Sequence, residues 1–248
     1  MNSQDQSDDH IYLSVIAAAY NEADNLPQLL KEIADALAAL GQKSEVIIVN
    51  DASVDATADI LQNLLGRYPQ LRILTLRKRA GQTAALDAGL RSAEGRFIAT
   101  LDADLQNDPA DIPLMLELIV SGECDMVNGW RAKRRDTWLR LLSTRIANGV
   151  ERLLIGEKVH DSACGLKVFR RECIARVKLF DGMHRFLPSL VRMEGYRVME
   201  MPVNHRPRVA GKAKYGVLNR VFKALRDVFA VRWMKRRMLR YQSEEQQR

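Results

Sequence analysis

Short runs of β-branched and aliphatic residues alternate along this chain with stretches whose leucines recur at helical spacing. That alternation leaves few folds open. Residues 11–19 (I-Y-L-S-V-I-A-A-A) are mostly apolar, the pattern of a short buried strand. Beyond Tyr20-Asn21-Glu22, the residues Leu26, Leu29, Leu30, Ile33, Leu37 and Leu40 line one face of a helix, opened by Asp24 or Asn25 with Pro27 in its first turn and closed by Gly41. The same reading predicts strands at 46–49, 72–76 and 96–101 and helices at 54–65 and 82–92. Further on, the pattern loosens into a helix at 110–121, a short strand at 125–128, a basic turn at 131–135 and an edge strand at 201–203. Strands and helices alternating at this interval predict an α/β fold, a mostly parallel Rossmann-like sheet with right-handed crossovers and helices on both faces. Sheets of this kind bind ligands at the carboxyl ends of their strands. Asn21-Glu22, Asn50-Asp51 and Asp102-Ala103-Asp104 each follow a strand and converge on that rim.

At 248 residues the chain fits one such domain with an appendage. We divide it into residues 1–10 as a disordered N-terminus, 11–216 as the catalytic α/β domain, and 217–248 as a basic amphipathic helix and tail. No window approaches the roughly 18 apolar residues of a spanning helix, and residues 1–10 are polar and acidic, so the expected location is the cytoplasm. Cys124, Cys164 and Cys173 are odd in number and lack Cys-x-x-Cys spacing, which argues against a disulfide framework or a zinc site. The net charge of +7 is local. Between Val217 and Tyr241 eight cations face Asp227 alone, which equals the whole excess. Charge gathered in one terminal segment points to a local anionic partner and away from a nucleic-acid binder.

The side chains of Asp102 and Asp104, two residues apart where a strand ends, leave the chain on one side and can reach one cation. Hard divalent ions commonly take one or two carboxylates together with substrate phosphates, and Gln106 at the same spacing offers a third oxygen. Asp-x-Asp is also a common surface or capping tripeptide. At Val49-Asn50-Asp51-Ala52-Ser53, either Asp51 or Ser53 is expected to cap the following helix. The other then stays on the rim, where a carboxylate suits the donor groups of a nucleobase edge. Arg206, Arg208, Lys212 and Lys214 fall within nine residues of a Pro- and Gly-containing stretch. They form either a solvated face or a loop that grips phosphate oxygens.

Four motifs occur in order: A-A-Y-N-E, then V-N-D-A-S-x-D-x-T, then G-Q-T-A-A-L-D-A-G-L, then L-D-A-D-L-Q-N-D-P. They continue into Asp161-Ser162-Ala163-Cys164-Gly165-Leu166-Lys167, then His184-Arg185-Phe186-Leu187-Pro188 and His205-Arg206-Pro207-Arg208. Over residues 11–216 this series resembles glycosyltransferase family 2, and within it the polyprenyl (dolichyl) phosphate sugar transferases, including their mannosyltransferase-like members. The resemblance implies a GT-A fold in which Ala19, Tyr20, Glu22 and Asp51 hold the nucleotide. It implies that Asp102, Asp104 and Gln106 hold Mg²⁺ or Mn²⁺ against the donor diphosphate, and that Arg131 lies near the phosphates. Asp161 falls at the position of a general base, and Arg206, Arg208 and Lys214 at a phosphate-gripping loop. Two departures stand out: Ala52 where glycine is frequent, and Ala213 where serine often precedes Lys-Tyr.

The activity implied is inverting transfer of a hexose or N-acetylhexosamine from a GDP- or UDP-linked donor to a polyprenyl phosphate at the cytosolic membrane face. Two other readings stay open. One is transfer to a glycan or protein hydroxyl, which makes Asp161 essential as base; the other is a non-catalytic, membrane-docked regulator. A phosphate monoester, ionised with a second pKa near 6, needs positioning more than deprotonation. Two amphipathic segments bear on the membrane. Trp138, Leu141, Leu142, Ile146, Val150, Leu153 and Leu154 form one, and Leu218, Val221, Phe222, Leu225, Val228, Phe229 and Trp233 form the other. An apolar face with aromatics opposite a basic face describes a helix lying among anionic headgroups. It equally describes a helix packed on its own domain or on a twin subunit, so a homodimer stays open. Many relatives carry transmembrane helices after the catalytic domain, and the sequence up to Arg248 holds none.

Overall fold

The computed structural model of the chain describes residues 10–132, 156, 160–207 and 217–239. The expected helix at Trp138 to Leu154, most of the basic turn at 131–135, and Arg208, Lys212 and Lys214 lie outside the described residues.

Seven strands form one sheet: β1 (Leu13–Ala19), β2 (Ser44–Asn50), β3 (Leu71–Thr75), β4 (Phe97–Asp102), β5 (Met126–Trp130), β6 (Lys167–Arg170) and β7 (Val198–Pro202), in the order β3-β2-β1-β4-β6-β5-β7. The first four run parallel. β6 is antiparallel to both β4 and β5, and β7 joins β5 in parallel at the edge. The helices are α1 (Leu26–Leu40), α2 (Thr57–Leu65), α3 (Gln82–Ser92), α4 (Ile112–Val120), α5 (Leu187–Met193) and α6 (Val217–Arg237).

Strand alternation sorts these helices between two faces. Leu13, Val15 and Ala17 of β1 pack with Leu29, Ile33, Leu61 and Met115, and hence under α1, α2 and α4. Ile16, Ile47, Val49 and Ile98 pack with Ala85, Leu90, Leu187 and Val191, and hence under α3 and α5. The mostly parallel sheet clad on both sides is therefore as the alternation predicts. Gly89 sets how closely α3 approaches: a Cβ there would stand 2.5 Å from a methyl of Ile16 and 3.1 Å from one of Val49. Register brings the functional rim together, since Ala19 lies opposite Asn50 and Ala18 opposite Asp102.

α1 begins and ends where predicted, but Asn25 is not its side-chain cap. Asn25 is buried, and its Nδ2 donates to Glu22 Oε2 at 2.7 Å. α2 starts at Thr57, three residues later than the apolar pattern suggests, because Asp55 Oδ1 accepts from the Thr57 amide and 54–56 bend into the helix. All three cysteines are buried as free thiols. Among the described residues, no helix is long and apolar enough to cross a membrane.

α6 packs on its own domain through Val228 and Val231, which close a cluster with Met183, Phe186 and Leu190. Asp227, the helix's one acid, is buried and pairs with Arg185 at 2.9 Å. The apolar face drawn from the sequence is corrected here: Val231 belongs to the inward face, and Phe229 and Trp233 are 57% and 64% exposed. Residues three apart share a helix face, and the 228/231 pair takes the core-facing side.

At the amino ends of the strands, away from the rim, the buried Glu45 carboxylate accepts from Ser14 Oγ (2.5 Å), from the Glu94 amide (2.8 Å) and from Arg72. Ser14 Oγ in turn accepts from the Gly95 amide at 2.8 Å. Burial alone raises the Glu45 pKa, but the Ser14 hydroxyl, the Glu94 amide and Arg72 outweigh it and hold the group below the ordinary value of 4.5. A lowered folded-state pKa stabilises the fold above the unfolded value and loses that contribution as pH falls through the folded one. Glu45→Ala, which strands the Ser14 and Glu94 donors, is expected to cost about 2–3 kcal/mol and lower the melting temperature by roughly 5–10 °C at neutral pH. In urea unfolding, the gap between wild type and Glu45→Gln should narrow as pH falls below 4.5, where the wild-type side chain takes up its proton. A gap that stays constant down to acid pH excludes the network as a source of stability.

Candidate functional site

The rim is built from loops that leave the ideal backbone. Among the described residues, three non-glycine residues have positive φ: Asn21 (53°), Ala52 (52°) and Leu105 (61°). Each lies just past the carboxyl end of one of the central strands β1, β2 and β4. The left-handed region costs an L-residue roughly 1–2 kcal/mol, so surrounding contacts must hold it. Leu105 is held by burial in the core below β4. Asn21 is tied on both sides, its amide donating to Ser53 Oγ at 3.0 Å and its Oδ1 accepting from the Val54 amide at 2.9 Å.

Asp102 closes β4 and is partly buried. Its Oδ1 accepts from Gln82 Nε2, at the start of α3, at 2.8 Å. Gly165 lies against its carboxylate so closely that a Cβ there would collide with it. Asp104 is buried, and its Oδ1 accepts from the Gln106 amide at 3.2 Å. Burial first, and the Asp104 charge second, push the Asp102 pKa up to about 6, against the opposing pull of Lys167 and Arg131. A carboxylate whose proton affinity is raised by a second one beside it belongs to a donor set suited to a hard divalent cation, and a cation between the two would remove that repulsion. No group of three His, Cys, Asp or Glu gathers anywhere among the described residues. Asp102 and Asp104 could supply two carboxylate ligands to such an ion, with other oxygens completing its shell. Gln106 turns its amide nitrogen to the Arg206 carbonyl at 3.4 Å.

Asp161 is 1% exposed and takes a two-pronged ion pair from Arg131: Nε to Oδ2 at 2.7 Å and an Nη to Oδ1 at 2.8 Å. Burial lowers the Arg131 pKa, but the Asp161 carboxylate more than reverses that, so the guanidinium stays charged. Lys167 stands behind this pair, buried, with Nζ donating to the Ser162 carbonyl at 3.2 Å and to the Cys164 carbonyl. Burial lowers its pKa, while Asp161 and Asp102 oppose the shift. Asp102, Asp161, Arg131 and Lys167 thus form one partly buried group of alternating charge.

The nucleotide residues inferred from the resemblance meet at the neighbouring strand ends. The Ala19 carbonyl accepts from the Asp51 amide at 2.9 Å. Tyr20 carries the guanidinium of Arg79 over its ring, 4.0 Å from the centroid. The Glu22 amide donates to Thr57 Oγ1 at 3.0 Å. Asp51 corrects the expectation of a cap or an uncommitted rim carboxylate. Buried, it accepts from the Ala80 amide at 2.6 Å and the Gly81 amide at 2.8 Å, and so fixes the loop that carries Arg79. Neither Asp51 nor Ser53 caps α2. Arg206 also stands otherwise than expected. Both Glu32 oxygens receive it at 2.8 Å and Asp108 at 2.6 Å, so it anchors the start of its loop beside the Asp104 turn.

The sequence reading missed Gln82, Arg79 and the role of Lys167. A lysine inside the apolar run Leu166-Lys167-Val168-Phe169 was the available signal, because a buried charge demands partners.

The model of the family described as Glycosyl transferase family 2 matches residues 14–177. A dodecaprenyl-phosphate galacturonate synthase of Rhizobium johnstonii is 39% identical over 228 residues, covering 90% of this chain and 67% of that protein. An undecaprenyl-phosphate 4-deoxy-4-formamido-L-arabinose transferase of Edwardsiella ictaluri is 34% identical over 209 residues, covering 84% of this chain and 64% of that protein. The chain therefore spans about two thirds of the length of these relatives. Among solved structures, a Pyrobaculum calidifontis mannosyltransferase in complex with GDP-Man and Mn²⁺ aligns with a TM-score of 0.64 at 23% identity, over 89% of this chain and 64% of that one. A Mycobacterium tuberculosis glucosyl-3-phosphoglycerate synthase in complex with Mn²⁺ and UDP-glucose aligns with a TM-score of 0.67 at 17% identity, over 91% and 79%. At these identities the likeness is one of fold, and the fold is GT-A.

Ala52 supplies a test of the rim's backbone. Relief of its positive φ and the greater freedom of glycine in the unfolded chain oppose each other, so Ala52→Gly is expected to raise stability by about 0–1 kcal/mol. Ala34→Gly inside α1 should instead cost about 1 kcal/mol. Thermal melts of the two variants check this, and equal losses would exclude strain at Ala52.

Proposed function

The chain belongs to glycosyl transferase family 2, and from that premise we propose that it moves a sugar, with inversion, from a nucleotide-sugar donor to a polyprenyl phosphate at the cytosolic face of a membrane. The observation that carries the reading is the meeting of the Asp102–Asp104 carboxylates with the Arg131–Asp161 pair and Lys167 at one strand-end rim. In this reading residues 11–216 form the catalytic unit and 217–248 the docking segment. The names of the two relatives, a dodecaprenyl-phosphate galacturonate synthase and an undecaprenyl-phosphate formamido-arabinose transferase, support a lipid-phosphate acceptor. They also widen the sugar beyond a hexose or N-acetylhexosamine, to a uronic acid or a formamido-pentose.

Asp102, Asp104 and the amide oxygen of Gln106 would hold Mg²⁺ or Mn²⁺, whose chemistry when bound is Lewis-acid stabilisation of the departing diphosphate. Ala19, Tyr20 and Glu22 shape the nucleotide pocket, and Asp51 serves it by fixing the 79–81 loop. Arg131, fixed by Asp161, keeps a permanent positive charge beside Asp102 where donor phosphates collect negative charge. Asp161, paired to a guanidinium through both oxygens, is a poor proton acceptor, and a phosphate acceptor needs none. By the resemblance, Arg208 and Lys214, with Lys212 between them, supply cations for the phosphates.

α6 supports docking at the membrane. Phe229 and Trp233 are exposed on the same helix as Arg226, Arg232, Lys235, Arg236 and Arg237, the arrangement of a helix partly seated among anionic headgroups.

Purified protein, Mn²⁺, undecaprenyl phosphate and a panel of radiolabelled GDP- and UDP-linked sugars, galacturonate included, test the reading. Label should move into the organic phase for one donor, and Asp104→Ala should reduce that transfer by at least about 100-fold. With the lipid phosphate as acceptor, Asp161→Asn should keep about a tenth of the rate or more, whereas loss of a true general base costs about 10²–10⁴-fold. Absence of organic-extractable label with every donor, under conditions where the nucleotide binds, would sink the proposal.

A further inference from the structure

β7 is the edge strand of the sheet, and an acidic side chain on an edge ordinarily faces water. Glu200 does not. It lies opposite Asn128 of β5, its side chain is only 10% exposed, and its carboxylate collects donors from three residues. Oε1 accepts from the Asp161 amide at 3.2 Å and from Asn128 Nδ2 at 3.3 Å. Oε2 accepts from the His160 amide at 2.9 Å and contacts His160 Nδ1 at 2.8 Å. A carboxylate accepting several hydrogen bonds in one geometry is a rigid clamp, since shifting any one donor disturbs the others.

What the clamp holds lies on both sides of Arg131. Through the two amides it fixes the backbone of 160–161, from which the Asp161 carboxylate reaches the Arg131 guanidinium. Asn128 Nδ2 also donates to the Asp161 carbonyl at 3.0 Å, so β5 and the 160–161 turn are tied twice. Through the ring it fixes His160, which stacks on Trp130 with centroids 4.7 Å apart and planes at 26°. Trp130 is the residue before Arg131. The backbone leading into the guanidinium and the carboxylate that orients it therefore share one support, Glu200, which is itself bonded to neither Arg131 nor the Asp161 side chain.

We infer that Glu200 is a positioning residue for the Arg131–Asp161 pair, acting through the 160–161 turn and the Trp130–His160 stack. The inference rests on the transferase reading for its consequence in turnover, but its structural content stands on the contacts alone. It predicts a split between chemistry and nucleotide binding. In the full chain, Glu200→Ala should lower kcat by about tenfold, no further than Asp161→Asn does, while leaving the donor KM within about threefold. Binding of the nucleoside diphosphate with Mn²⁺ should weaken by no more than about threefold, because in the proposed function the rim carboxylates and the pocket at the ends of β1 and β2 carry most of it. Glu200→Gln keeps one oxygen for the two amides and should recover most of the lost turnover.

A second readout is independent of activity. In the ¹⁵N-labelled protein, the Arg131 Nε–H signal, assigned by its loss in Arg131→Lys, should be protected from exchange in wild type and in Glu200→Gln. It should be lost or shifted in Glu200→Ala. The inference is overturned if Glu200→Ala keeps full turnover, or if kcat, nucleotide affinity and melting temperature fall together in both variants. If wild type transfers no sugar from any donor, it is the functional reading that has failed. The Arg131 signal then decides alone: loss in the folded Glu200→Ala variant supports the positioning role, and an unchanged signal rejects it.

Discussion

Four charged side chains, Asp102, Asp161, Arg131 and Lys167, crowd one rim of the sheet with little access to water. Removing an isolated charge from water costs more than almost any single contact returns, so the grouping persists only because signs alternate and every charge has a near partner. The surrounding structure serves that requirement. Gly165 has no side chain where one would strike Asp102, and Gln82 reaches from α3 to the same carboxylate. Lys167 spends its protons on the carbonyls of Ser162 and Cys164. Removing any one of the four leaves an uncompensated charge at the rim.

Much of the fold was legible because period decides it. The residues of 11–19 and 46–49 carry no polar face, so they had to be strands covered on both sides, and the leucines from Leu26 to Leu40 could only be a helix lying on such a sheet. Asp102 and Asp104 could be placed because a strand end fixes direction. Side-chain commitments were not legible. Asp51 and Arg206 looked available since their types suit ligands, yet the backbone amides of 80–81 claim the first, and Glu32 and Asp108 claim the second. Those partners are 29, 174 and 98 positions away along the chain, and no local pattern announces them. The same holds for Glu200, whose strand looks like an exposed edge until its partners at 128 and 160–161 are seen.

α6 shows how one amphipathic pattern divides between two uses. Helical spacing marks an apolar stripe but not its width, and here Val228 and Val231 take the core while Phe229 and Trp233 stay outside. Asp227 ties the helix to the domain beneath it. As the one acid among so many cations it is drawn to Arg185, and its carboxylate fills the space beside Gly182 that a side chain there would occupy. The packing alternative and the interfacial alternative are therefore compatible, since they use different residues of one helix.

The two ends of the sheet are organised on opposite principles, and the contrast bears on the chemistry. At the amino ends, Glu45, Ser14, Arg72 and the amides of 94–95 satisfy one another fully and raise stability. At the carboxyl ends, the central strands β1, β2 and β4 each lead into a residue held at positive φ, and Asp102 and Asp104 repel. Strain and repulsion of that kind persist only where the rest of the molecule over-determines the backbone. In the proposed function a cation between Asp102 and Asp104 relieves their repulsion, and a cation with a diphosphate brings both signs at once. In the same reading the Arg131–Asp161 pair holds the guanidinium charge in one fixed direction beside Asp102.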